Sequence, residues 1–290
     1  MITLISCLIL NLWAEKFDQP HWQNWKSEQY KNALTSPTSF LNATQLSFQE
    51  SGSLYLVVGK TRKDTRWVKE EPKKYEIIAE HQGDRIRVQV RKKSSQYLTK
   101  QKRRQEIKLP NGAIAEVVFG RRVGKLWGYV YDPDQIKKFT GFRFYPFNEK
   151  AIVTGHFKKH PKKFVSYKTV QGDLTKVSKV GTVSFIFNGV ETYLNAYNWQ
   201  KENEALKYIA LVFTDLTGGS ETYAGGRELV VELEKPLKDG QKFTLDFNRT
   251  TNFYCAHSPF WHCPTGLQQK VNSAFKAGEM LPLKKIVSSR

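Results

Sequence analysis

The chain has 290 residues, 40% of them apolar and 13% aromatic, which suffices for a sizeable core and excludes wholesale disorder. Forty-six Lys and Arg against 27 Asp and Glu leave a formal charge of +19, which excludes a preference for cationic ligands and brings polyanions into consideration. Three cysteines are too few for a disulfide-stapled miniprotein, and no internal stretch approaches the roughly 18 apolar residues of a membrane span.

Residues 1–14 carry no charge and are mostly apolar, and a polar region begins at Glu15. The segment has the length of a signal-peptide core with a small residue, Ala14, at the cleavage position, so a periplasmic or otherwise exported bacterial protein is expected. Leu4-Ile5-Ser6-Cys7 also has the form of a lipoprotein cleavage box, and a buried N-terminal element is the alternative. Residues 18–34 turn helical: Pro20 suits a first turn, Trp22, Trp25, Tyr30 and Leu34 recur at helical spacing, and Ser36-Pro37 ends the run.

Strand signals follow. Residues 54–58 are a short apolar run, and 75–79 and 85–91 form a hairpin around Gly83-Asp84, with Ile86, Val88 and Val90 inward. Residues 114–119 and 126–131 continue the series. The second half reads as strands at 151–157, 165–170, 181–188, 191–197, 208–214, 227–233 and 243–247, with Asn188-Gly189 as a hairpin turn. Only 267–277 looks helical again. The expected fold is mainly β, two packed sandwich- or barrel-like units with short N-terminal and C-terminal helices. The expected divisions are a signal segment at 1–14, a helix and linker at 15–50, a small β domain at 51–140 and a C-terminal β domain at 141–290. Two basic runs stand out, residues 91–108 with eight Lys or Arg and the KKHPKK of 158–163. Solvated loops and outward faces account for both.

The informative stretch is 211–279. Phe213-Thr-Asp215-Leu-Thr217-Gly218-Gly219-Ser-Glu221-Thr222-Tyr223-Ala-Gly225-Gly226-Arg227 sets an Asp, a Thr and a glycine-rich turn between two strands. Leu245-Asp246-Phe247-Asn248-Arg249, Asn252, Cys255, Cys263-Pro264 and Ala277-Gly278-Glu279 follow. In order and spacing these motifs resemble a bacterial and archaeal family known as domain of unknown function 1684. A weaker likeness reaches back through Gly141-Phe-Arg143-Phe-Tyr145-Pro146 to about residue 125. The chain departs from that pattern at Phe253 and Tyr254, where the family has prolines, and at Gln269, where it has asparagine; His257 and His262 lie outside it. The resemblance implies relatives and a site, and no activity.

Asp215 and Arg227 flank an eleven-residue connection, so a hairpin brings them near each other. Asp246 and Asn248 share one side of a strand end by the two-residue period. The expected ligand site is Asp215, Tyr223, Arg227, Asp246, Asn248, Arg249 and Glu279 in one polar pocket, with the arginines holding a carboxylate or phosphate. The competing reading is that these groups knit long turns together. Cys255-Ala-His257 and His262-Cys263 supply four zinc-type ligands without the spacing of a known finger, so no metal site and no cofactor are expected. If the protein is exported, a Cys255–Cys263 disulfide is expected instead.

The leading functional expectation is a non-enzymatic exported protein binding a small anionic or sugar-like ligand. The alternatives are a hydrolase or lyase with Asp215 or Glu279 as base and Arg227 as clamp, and a basic surface protein that binds a polyanion. An anionic cell-envelope polymer stays open as a partner, and nucleic acid is disfavoured because the aromatics fall mostly at inward positions.

Overall fold

The computed structural model describes residues 17–91, 93–120, 124–200 and 206–283; the expected signal segment and Cys7 lie outside them. Helix α1 (Gln19–Thr35) starts at Asp18, whose carboxylate accepts the His21 N–H at 3.0 Å, and stops at Ser36. Its buried face is Trp22, Tyr30 and Ala33, with Trp22 and Tyr30 packed on Phe144. Trp22 and Tyr30 are two of the four residues whose helical spacing marks this segment. Among the described residues no helix is long and apolar enough to cross a membrane.

Among the described residues nine short strands come next: β1 (Ala43–Gln49), β2 (Ser53–Val57), β3 (Arg66–Val68), β4 (Ile77–Gln82), β5 (Arg85–Val90), β6 (Gln96–Leu98), β7 (Arg104–Lys108), β8 (Ile114–Phe119) and β9 (Leu126–Tyr131). They form two antiparallel sheets, ordered β1-β9-β8-β7 and β3-β2-β4-β5-β6. Leu54, Leu56, Ile77, Ile86 and Val88 of one sheet bury against Ala115, Val117, Leu126 and Val130 of the other, which makes this unit a sandwich. Trp67 lies between the layers and donates its indole N–H to the Tyr129 carbonyl at 3.0 Å. Residues 43–49, expected to be linker, are an edge strand of this unit, paired with β9 along its length.

The second half is one larger sheet of β10 (Ile152–Thr169), β11 (Leu174–Phe187), β12 (Val190–Asn198), β13 (Tyr208–Thr214), β14 (Arg227–Glu232), β15 (Lys242–Asp246), β16 (Thr251–Asn252), β17 (Pro264–Thr265) and β18 (Gln269–Lys270). Its main path runs β15-β10-β11-β12-β13-β14-β16, with β17 beside β10 and β18 parallel to β13. Asn188 and Gly189 both take positive φ (51° and 77°) in the β11–β12 hairpin, the backbone that a two-residue turn of the primed type demands. Phe157, Phe185, Leu211, Phe213, Leu229 and Phe247 form the core on one face. Val177, Tyr197, Val212 and Phe253 form a second cluster on the other. Because both faces of β13 are covered, Ile209–Phe213 is buried at every position and reads as an unbroken apolar run.

The molecule is mainly β, and among the described residues none of its three sheets closes into a barrel. The C-terminal helix is not formed. Residues 267–277 hold only the two-residue strand β18 and irregular turns, with Val271 donating to the Thr214 carbonyl at 2.8 Å. Leu267 and Val271 are spaced like one helical face, yet Leu267 belongs to the outer cluster and Val271 and Phe275 to the inner core. A segment that threads past a sheet edge can serve both faces, and its apolar spacing then imitates a helix.

Candidate functional site

The glycine-rich turn closes on itself. Asp215 accepts the Thr217 N–H at 2.7 Å and the Thr217 hydroxyl, and Thr217 meets the Thr222 hydroxyl at 2.8 Å. Phe213 pairs with Arg227 where β13 and β14 begin their ladder, which sets the Arg227 side chain under the turn. Its guanidinium donates to Asp215 Oδ2 at 2.8 Å, to the Phe275 carbonyl at 3.0 Å and to the Ala277 carbonyl. Arg227 is 1% exposed. Burial pushes its pKa down and the Asp215 carboxylate pulls it back up. The chain tail comes close enough because residue 278 is glycine: a Cβ there would lie 2.4 Å from the Thr250 carbonyl oxygen and 3.0 Å from Arg227 Nη2.

A second knot surrounds Glu279, also 1% exposed. Its carboxylate accepts from the Tyr30 hydroxyl at 2.7 Å and the Asn252 N–H at 2.9 Å, and its other oxygen lies 2.6 Å from His257 Nε2. Burial, then the neighbouring Glu279 charge, raises the Tyr30 hydroxyl well above its ordinary value. A third knot joins Asp246 and Asn248. Asp246 accepts from the Asn248 backbone at 3.0 Å and amide at 2.8 Å, and Arg249 Nε lies 3.4 Å from Asp246. Asn248 exchanges two 2.9 Å bonds with the Asn148 backbone and receives the Trp22 indole N–H on its own carbonyl. Tyr223 joins none of these through its hydroxyl; its backbone N–H donates to Asn252, and its ring packs in the outer cluster.

The seven expected residues therefore fall into three buried knots plus Tyr223. Asp215 is joined to Arg227, and Asp246 to Asn248 and Arg249, while Glu279 instead gathers Tyr30 and His257. Only Asp246 and Arg249 border the large open cleft, a space of about 1170 Å³. That cleft lies between α1 and the outward face of β14, with Trp25, Glu228, Tyr254, Tyr167, Trp199 and Trp261 among its walls. Trp199 donates its indole N–H to the Tyr167 hydroxyl at 3.1 Å, which fixes two of those rings. Glu228 is half-buried and has neither a hydrogen-bond nor an ion-pair partner among the described residues. Burial pushes its carboxyl up to about 7, and burial together with the Glu228 charge pushes the Tyr254 hydroxyl up to about 12. Sequence reading missed Glu228. The alternation Arg227-Glu228-Leu229-Val230 already sets it on the face opposite Leu229, and that was the available signal.

Cys255 and Cys263 are disulfide-bonded. Their loop carries Phe260 and Trp261 onto Ala43, Val118 and Tyr129 of the sandwich, so the crosslink holds the contact between the two halves. The zinc-type set does not converge. The cysteines bond each other, His257 turns to Glu279, and His262 turns to Asp173 at 3.3 Å with its ring 4.2 Å from that of Trp127. Burial pushes Asp173 up, but hydrogen bonds from His262 and Thr169 outweigh it and leave the carboxyl below its ordinary value. Among the described residues no group of three or more His, Cys, Asp or Glu is arranged to hold a metal ion.

Fold and site define a mainly β protein: a small sandwich joined to a larger sheet whose motif residues are mostly buried braces beside an open aromatic cleft. Residues 137–280 match the family described as protein of unknown function, DUF1684, and the C-terminal half of the chain belongs to that family. The chain is also similar to the solution NMR structure of an uncharacterized protein of Haloarcula marismortui, 27% identical, covering 53% of this chain and 83% of that one, with a TM-score of 0.44. No curated protein matches it.

Proposed function

We propose that the protein is an exported binding module whose cleft takes a neutral, sugar-like ligand. The observation that carries this reading is the cleft wall itself. It combines the aromatic faces of Trp25, Trp199, Tyr254 and Trp261 with the carboxyl groups of Glu228, Glu232 and Asp246. Aromatic rings stack on the apolar faces of sugar rings, and carboxyl and amide groups bond their hydroxyls, which is the mixture a small-ligand pocket uses. The cleft wall holds more carboxyl groups (Glu28, Glu228, Glu232 and Asp246) than guanidinium groups (Arg104 and Arg249), which argues against an anion there, and Arg227 is buried away from it, donating to Asp215 and two carbonyls. Export is supported by the uncharged residues 1–14 and by a disulfide, which persists in an oxidising compartment.

Titration of neutral oligosaccharides, followed by tryptophan fluorescence and calorimetry, tests this. Saturable binding lost in Trp25→Ala and Glu228→Ala supports it. Absence of binding across neutral gluco- and amino-sugar oligomers, or tighter binding of uronates, overturns it. One observation favours a second reading, hydrolysis. A cleft-facing carboxyl that holds its proton to about pH 7 has the property of a general acid. On that reading Glu228→Gln abolishes turnover of a chromogenic glycoside while binding survives.

A further inference from the structure

The KKHPKK run does not lie in a loop. It sits in the middle of the eighteen-residue strand β10, where the pairing with β11 shifts between Lys159 and Lys163. Pro161, which has no N–H to give, falls in that bulge, so the ribbon is interrupted but continues on both sides. The β10–β11 ribbon thus carries Lys158, Lys159, Lys162, Lys163, Lys168, Lys176 and Lys179, no arginine, and one acid, Asp173. Asp173 is buried and engaged by His262 and Thr169. Asp239 approaches, but its carboxylate accepts the Lys159 backbone N–H at 2.8 Å.

Lys158, Lys159, Lys163, Lys168 and Lys179 have no ion-pair partner among the described residues. Lys163 stands directly opposite Lys179 in the ladder. Like charges at such a position destabilise a sheet, so the Lys163–Lys179 opposition carries a local cost. We propose that this ribbon is a docking site for a linear polyanion, a phosphate-bearing polymer whose charges run along β10 and β11. This surface is separate from the cleft, and the inference is independent of the sugar-binding reading.

Three features select a flexible polymer chain. By strand alternation Lys163 shares the face of Val165 and Tyr167, whereas Lys168 shares the opposite face, so the charges lie on both sides of the ribbon. A planar bilayer touches one side only. Lysines are hydrated point charges that suit backbone phosphates and read no base edges. The ribbon's exposed aromatic ring, Phe164, is a single platform, whereas unspecific single-strand binding stacks successive bases.

The test uses the full chain and long-chain inorganic polyphosphate at 50 and 200 mM salt. Five phosphate contacts predict a loss of roughly 100- to 500-fold in affinity between those concentrations, since each released counterion contributes about 0.7–0.9 to the logarithmic slope. Replacing Lys158, Lys159, Lys163 and Lys179 together by Gln should weaken binding at least tenfold and flatten the salt dependence. The same four changed to Arg should keep both, which separates charge from folding. The Gln variant should also melt at a higher temperature than the parent, because the Lys163–Lys179 opposition is gone. The proposal is overturned if polyphosphate is not bound at 50 mM salt. It is equally overturned if neutralising Lys93, Lys100, Lys102 and Lys108 weakens binding as much, or if phosphatidylglycerol vesicles or oligo-dT bind more tightly than polyphosphate.

Discussion

Arg227 and Glu228 are neighbours on one strand and lead opposite lives. Arg227 points inward, is 1% exposed, and spends its guanidinium on Asp215 and two backbone carbonyls. Glu228 lines the cleft, has no hydrogen-bond or ion-pair partner among the described residues, and burial raises its carboxyl to about 7. The contrast extends to the whole second half of the chain. The motif residues Asp215, Arg227, Asn248 and Glu279 are buried knots that join segments far apart in sequence, while most of the cleft wall, Asp246 and Arg249 among the exceptions, is made of residues the motifs do not include. A polar residue inside a recurrent motif can be there because a long turn has backbone groups to satisfy, and only burial and partners tell which.

The largest test of that contrast is Arg227→Met. It leaves Asp215 buried without its cation and strands two carbonyls, so a loss of about 3–5 kcal/mol in urea unfolding is expected. Pairing it with Asp215→Asn should cost less than the sum, because the two groups share one interaction. A stable Arg227→Met protein that had lost only ligand binding would reverse the assignment and return Arg227 to the site. Next in size is the Cys255–Cys263 bridge. Opening a loop this short should cost ~2–3 kcal/mol in the chain-entropy model, read as a fall in melting temperature under reductant. Because the loop carries Trp261 onto the sandwich, the tryptophan emission should shift red at the same time.

Much of this was legible in the chain. The run of β13, the Asn188-Gly189 turn, the 77–90 hairpin and the first helix all carry local signals, and the structure places them within a few residues of the reading. The pairing of Asp215 with Arg227 followed from hairpin geometry alone. What failed was non-local. Ala43–Gln49 is mostly polar, and only its pairing with β9, some eighty residues on, makes it a strand. Residues 158–163 fall between two expected strands, yet they continue β10, because the bulge at Pro161 depends on the partner strand. Glu279 meets Tyr30 across 249 residues, a contact that no spacing rule anticipates.

Glu228 gives the third test, in the opposite direction from most carboxylates. Its folded pKa, about 7, lies above the ordinary value of 4.5, so the folded state binds the extra proton. Stability from this group is complete below about pH 4.5 and is lost as pH rises through 7, by on the order of 2 kcal/mol after allowance for its partial exposure. The urea midpoints of parent and Glu228→Gln should therefore diverge between pH 5 and pH 8, with the Gln variant flatter. Parallel midpoints would show that Glu228 is solvated like any surface carboxylate and that the cleft is not the exceptional region.

The smallest effect asks whether the cleft's helical wall is held by its own cap or by the knots. Asp18 accepts the His21 N–H at 3.0 Å, and Asp18→Ala should cost about 1 kcal/mol, the usual worth of an N-cap. The knots reach α1 later in the helix, through Trp22 to the Asn248 carbonyl and Tyr30 to Glu279. If those contacts hold the wall, Asp18→Ala frays only the first turn. Amide exchange should then quicken before Trp22 and stay slow around Tyr30, and any cleft ligand should keep its affinity within about twofold, since under half a kcal/mol would reach the cleft. Tyr30→Phe is the matched comparison: it removes one bond to a buried carboxylate and should loosen the wall at its centre while leaving the cap intact. An Asp18→Ala protein that exchanges fast along the whole helix would show that the cap, and not the buried carboxylate, sets the shape of the cleft.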